Sequence, residues 1–105
     1  MNRTKSCNDE LKDYLSGNHG KRMLVIEPND ALIYIDIDGD TTTLEELQRL
    51  VGGYIEVYPS GSDNYYYLVD EEGLLKRKPF NHTANELLGI EAVGPVVLVP
   101  KEYFH

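Results

Sequence analysis

A chain of 105 residues has room for one packed core, and 18 acidic against 10 basic side chains give it a net charge of −8. That field disfavours duplex nucleic acid and anionic membrane surfaces, because both are bound through clustered Lys and Arg and the one dense basic group is Lys76-Arg77-Lys78. No apolar run approaches the roughly 18 residues of a membrane span, and the polar stretch from Met1 to Gly20 lacks the apolar centre of a signal peptide, so a cytoplasmic location is expected.

Residues 1–21 read as a polar leader and linker. Asn8 or Asp9 can cap a short helix over Glu10–Leu15, with few apolar positions to dock it, and Ser16 to Gly20 is linker chemistry. A single α+β domain is expected over residues 22–105. Met23 to Ile26 is a short strand, Pro28-Asn29-Asp30 a turn, and Leu32 to Ile37 a second strand whose alternation sends Ile33, Ile35 and Ile37 to one face. Thr43 stands three residues before Glu46, the spacing of a capping box. Leu44, Leu47, Leu50 and Val51 then share one helical face that ends at Gly52-Gly53.

Tyr54 to Tyr58 and Tyr65 to Val69 form a second hairpin around a polar loop, and Leu74 to Arg77 is expected to extend or re-pair with the sheet. Asn81 to Leu88 is a short helix or a single turn, stopped by Gly89. Val96 to Val99, apolar on both faces, is the strand expected at the centre of the sheet. The order hairpin, helix, hairpin, short helix, final central strand predicts a mixed sheet of about five strands, with one main helix on one face. That order is similar to the ubiquitin-like β-grasp fold.

Motifs for chemistry are sparse. Asp36-x-Asp38-Gly39-Asp40 resembles the start of a calcium loop, but the sixth and twelfth places hold Thr41 and Leu47 instead of the required glycine and glutamate. His19, His82 and His105 have no partner at metal-ligand spacing. No nucleophile or phosphate-loop pattern occurs, so neither cofactor nor metal is expected and no catalytic residue is assigned. Cys7, the single cysteine, forms no internal disulfide and has no activating neighbour in sequence. The Asn-x-Thr sequons at Asn2 and Asn81 have no meaning in a cytoplasmic chain.

Tyrosine is the unusual count, 8 in all, three of them contiguous at Tyr65-Tyr66-Tyr67. With the isoleucines toward the main helix, Tyr34, Tyr54, Tyr58, Tyr65 and Tyr67 fall on the reverse face. Strand propensity and cross-strand pairing account for tyrosines there. An uncovered tyrosine face flanked by Asp36 and Glu56 would also serve as a contact surface, because tyrosine is enriched at interfaces.

The block Leu44-Glu45-Glu46-Leu47-Gln48-Arg49-Leu50-Val51-Gly52-Gly53-Tyr54-Ile55-Glu56-Val57 resembles a small domain family of unknown function from phages and mobile elements of Gram-positive bacteria. Asp70-Glu71-Glu72-Gly73-Leu74, Asn81 with Ala84, and Gly94-Pro95-Val96-Val97-Leu98-Val99 fit the same family. Lys76-Arg77-Lys78-Pro79-Phe80 departs from its neutral, proline-rich stretch. The resemblance implies an accessory role and transfers no catalytic residue. The expected function is a non-enzymatic module that binds a protein partner through the tyrosine face, with self-association open. Two alternatives are a nucleotide or second-messenger binder, with Lys76, Arg77 and Lys78 toward phosphates, and an acidic mimic of DNA.

Overall fold

A computed structural model describes residues 7–59 and 62–104, with side chains from residue 9 onward. The sequon at Asn2, the side chains of Cys7 and Asn8, and His105 lie outside the described residues. The elements in chain order are α1 (Cys7–Leu15), β1 (Arg22–Ile26), β2 (Leu32–Asp36), α2 (Leu44–Val51), β3 (Ile55–Val57), β4 (Tyr65–Asp70), α3 (His82–Leu88) and β5 (Val96–Pro100), followed by a 3₁₀ turn, Lys101–Tyr103.

The strands form one sheet in the order β2-β1-β5-β4-β3, so the final strand is central, as its two-sided apolar pattern requires. Every pairing is antiparallel. The expected mixed sheet is therefore corrected, and with it the β-grasp likeness. The physical reason lies in the connection from β4 to β5. The segment is closed on itself by the Phe80–Val93 bridge and by bonds from Asn81 N–H to Ala92 O (2.8 Å) and Gly94 N–H to Pro79 O (2.7 Å). It stays at one end of the sheet, so β5 enters where β4 leaves. Leu74 to Arg77 is not strand either: residues 71–77 coil into successive turns, with Lys76 N–H on Glu72 O and Lys78 N–H on Gly73 O.

Two apolar clusters occupy the two faces. On one, Leu47 and Val51 of α2 pack against Met23, Val25, Leu68, Val97 and Val99. On the other, Leu11 and Tyr14 of α1 and Ala84 of α3 pack against Leu24, Ile26, Tyr65, Tyr67, Val96 and Leu98. The alternation along each strand sorts side chains to the sides expected, but both sides are covered. The leader, with its few apolar positions for docking, supplies Leu11 and Tyr14, each burial contributing about 1.5–3 kcal/mol. Tyr14 Oη donates to Arg22 O at 2.9 Å, and Glu10 pairs with Arg22 at 3.2 Å, fixing α1 to β1.

Helix α2 begins where expected. Thr43 is extended, and its hydroxyl accepts from Glu46 N–H at 3.2 Å. Gly52 ends the helix in the left-handed region at φ 82°, which a side chain adopts only with strain. Gly53 has a second constraint: a Cβ there would stand 2.5 Å from Lys76 Nζ and 2.6 Å from Asp70 Oδ1. Gly53→Ala is expected to cost about 2 kcal/mol in urea denaturation, chiefly by pushing the buried Asp70 carboxylate away from the lysines that neutralise it.

Candidate functional site

The tyrosine face is not open. Tyr65 has 0% and Tyr67 6% of its surface exposed, both roofed by α1 and α3. The Tyr65 ring stacks on Tyr14 at 4.9 Å, and its hydroxyl donates to Tyr14 O. Burial pushes the Tyr65 phenol up to about 12 and the Tyr14 phenol further still. Tyr34 is half-buried, edge-on to Tyr14 at 5.6 Å and capped by the Arg22 guanidinium at 4.7 Å. Tyr34 and Tyr65 hold Tyr14 and with it α1 on the sheet, and together with the buried Tyr67 they offer no broad surface to a partner. Sequence reasoning missed this because the residues that cover them lie in a helix with only a few apolar positions.

The cover stops short of β3. At that end Tyr54 is 66% exposed and Tyr58 half-buried, its hydroxyl accepting from Glu91 N–H at 3.2 Å. Between β3, the 71–75 turn and residues 91–93 lies a groove of about 160 Å³. Tyr58, Val69, Leu74 and Val93 form its apolar wall, and Glu56, Glu71 and Glu91 line it as well. None of these three carboxylates makes an ion pair or side-chain hydrogen bond among the described residues. Leu74 and its neighbour Leu75 are 80% and 81% exposed. The pattern did carry a signal for them. Adjacent leucines in a charged run fit neither helical nor strand periodicity toward a core.

Beneath the groove, Asp70 shows how the basic run is used. Its carboxylate is wholly buried, 2.9 Å from Lys76 Nζ and 2.7 Å from Lys78 Nζ, and it accepts from Glu72 N–H at 2.9 Å. The same ammonium groups reach the end of α2: Lys76 Nζ donates to Gly52 O at 3.0 Å and Lys78 Nζ to Val51 O at 2.7 Å. Two cations thus satisfy orphan carbonyls at the negative end of the helix dipole and neutralise one buried acid. Burial alone would raise the Asp70 pKa; the hydrogen bonds from Lys78, Lys76 and the Glu72 N–H outweigh it and hold the group at about 2. Arg77, at φ 57°, turns outward between them.

No group of three His, Cys, Asp or Glu among the described residues is placed to hold a metal. His19 sits against Tyr65 and Tyr103 and pairs with Glu102 at 3.1 Å, bridging the linker to the C-terminal turn. No helix of the described residues is long and apolar enough to cross a membrane. The arrangement is an apolar recess edged with carboxylate, at an end of the tyrosine face that the described residues leave uncovered.

These features define a small α+β domain, an antiparallel sheet with helices on both faces and a groove beside one end strand. The chain belongs to the family described as a domain of unknown function, DUF3846, which matches residues 21–103. No curated protein and no solved structure matches it. The matched stretch contains α2, both lysines, Asp70 and the groove, while α1 precedes it.

Proposed function

We propose that the chain is a non-enzymatic protein-binding module, an accessory protein of a phage or mobile element acting in the cytoplasm. Its contact surface is the open end of the tyrosine face, around Tyr54 and Tyr58. The supporting observation is the groove, where Leu74, about four-fifths exposed, stands with Glu56, Glu71 and Glu91, none of which pairs with a cation among the described residues. An apolar recess rimmed by charge is the usual anatomy of a docking site. Its complement is an apolar side chain flanked by Lys or Arg.

The nucleotide-binding alternative draws less support, because Lys76 and Lys78 are committed to Asp70 and the end of α2. Titration of the labelled protein with a Lys-Leu-Lys-containing peptide, followed by NMR, is the test. Shift changes are expected at residues 54–58, 71–75 and 91–93. Glu56→Lys combined with Glu91→Lys should weaken binding at least about tenfold without moving the melting temperature. Changes spread evenly over the molecule, or an affinity untouched by charge reversal, would refute the reading.

A further inference from the structure

We infer that the partner is held at this surface as an added strand: an extended segment pairs antiparallel with the outer edge of β3 and carries a Lys or Arg opposite Glu56. The inference rests on the proposed docking role of the groove and adds how the partner's backbone is gripped.

The ladder with β4 decides which groups β3 offers. Tyr58 N–H bonds to Tyr67 O and Glu71 N–H to Tyr54 O, so in the antiparallel alternation Tyr54, Glu56 and Tyr58 turn their backbone toward β4. Ile55 and Val57 therefore turn their N–H and C=O groups outward. Because β3 is an end strand, those groups meet no other strand of the sheet, and they form no hydrogen bond among the described residues. The side chains along this edge leave it accessible: Glu56 is exposed, Val57 is 42% exposed and Tyr54 66%. Unpaired edge groups of this kind are the template for recognition by strand addition.

Side-chain chemistry selects the occupant. A second copy of this chain is disfavoured, because the two-fold register that uses both Ile55 and Val57 sets Glu56 directly against Glu56. The net charge of −8 opposes the same approach. A cationic segment reverses both effects. With Ile55 and Val57 in hydrogen-bonded pairs, the residue opposite Glu56 falls in a non-hydrogen-bonded pair, where side chains stand closest, with Cβ atoms about 4.5–5.5 Å apart. A Lys or Arg there meets a carboxylate that pairs with no cation among the described residues, and Glu71 and Glu91 line the same groove. Two residues away, on the same side of the added strand, a side chain comes beside Tyr58 at the apolar wall of the groove. The residues between point to the α2 side, next to Ile55 and Val57, where β-branched aliphatics fit. Leu-Val-Lys-Val satisfies every position: leucine opposite Tyr58, the valines opposite Val57 and Ile55, and lysine opposite Glu56.

Binding of the peptide Lys-Thr-Leu-Val-Lys-Val-Thr to the full chain, with one backbone nitrogen methylated at a time, is the test. Every change is made in the peptide, so the fold of the protein is untouched. The two valines aim their N–H groups at β3, and methylating either should weaken binding about tenfold or more. Methylating the leucine or the central lysine, whose N–H groups face water, should change affinity less than about twofold. Hydrogen exchange at the Ile55 and Val57 amides should slow in the complex, and glutamate in place of the central lysine should abolish binding.

Two outcomes separate this inference from the reading beneath it. If the unmethylated peptide shifts residues 54–58, 71–75 and 91–93 but methylation shows no alternation, or strikes at leucine and lysine instead of the valines, strand addition is overturned and the docking site stands. If the peptide does not bind this surface at all, both are overturned.

Discussion

Asp70→Ala is expected to lower the unfolding free energy by about 3 kcal/mol, among the largest effects available to a single side chain here. The carboxylate is wholly buried, so its loss opens a hole and leaves two ammonium groups facing each other at the end of α2. They retain the carbonyls of Val51 and Gly52 as acceptors, which is why the cost falls toward the lower end for a broken buried pair. Asp70→Asn isolates the charge from the cavity and adds a pH signature. The folded pKa of about 2 lies below the unfolded value of 3.8, so the unfolded chain binds more protons between these limits. Stability from this group is therefore complete above about pH 4 and is lost as pH falls through about 2. Urea denaturation followed by circular dichroism should show Asp70→Asn well below the parent protein at pH 7, the gap narrowing steadily from pH 4 to pH 2. A constant gap would mean that the lysines do not hold the charge.

That buried ion cluster also shows how far the sequence could be read. Thr43, the leucine stripe and Gly52 specify α2 locally, because cap, periodicity and stop all act within one helix. Val96 to Val99 announced a central strand by being apolar on both faces. Gly53 read only as part of a helix stop, although its lack of a Cβ admits an aspartate and a lysine from 17 and 23 positions further on (70 − 53 and 76 − 53). The run Lys76-Arg77-Lys78 looked like an exposed cationic patch for the same reason: its partners are distant in sequence and only the fold brings them near. The tyrosines were sent to the correct side of the sheet by alternation, yet alternation says nothing about what lies on top. That depended on Leu11 and Tyr14, two anchors too few to stand out in a polar helix. At the groove, Glu56 and Tyr58 were legible as members of a strand, while Leu74 and Glu91 enter it from turns whose path no periodicity encodes.

Asn81→Asp should destabilise the protein by about 3 kcal/mol, although aspartate caps helices as well as asparagine does in most settings. Asn81 is the N-cap of α3, its Oδ1 accepting from Ala84 N–H at 2.9 Å, and an aspartate would preserve that bond. The amide does more. Its Nδ2 donates to Ile26 O at 2.8 Å and to Gly94 O at 2.9 Å, joining the end of β1 to the approach to β5 while itself 0% exposed. A carboxylate there would turn both donors into a charged oxygen aimed at two buried carbonyls, a repulsion in a setting without water to screen it. Asn81→Ala, which abandons the cap and leaves the same carbonyls unpaired, should cost a similar amount. Asn81→Ser, able to keep only the cap, should recover no more than about 1 kcal/mol of that loss. Thermal unfolding of the three variants discriminates the roles. If aspartate matched the parent protein, the cap alone would explain Asn81, and the bridge from β1 to β5 would contribute nothing.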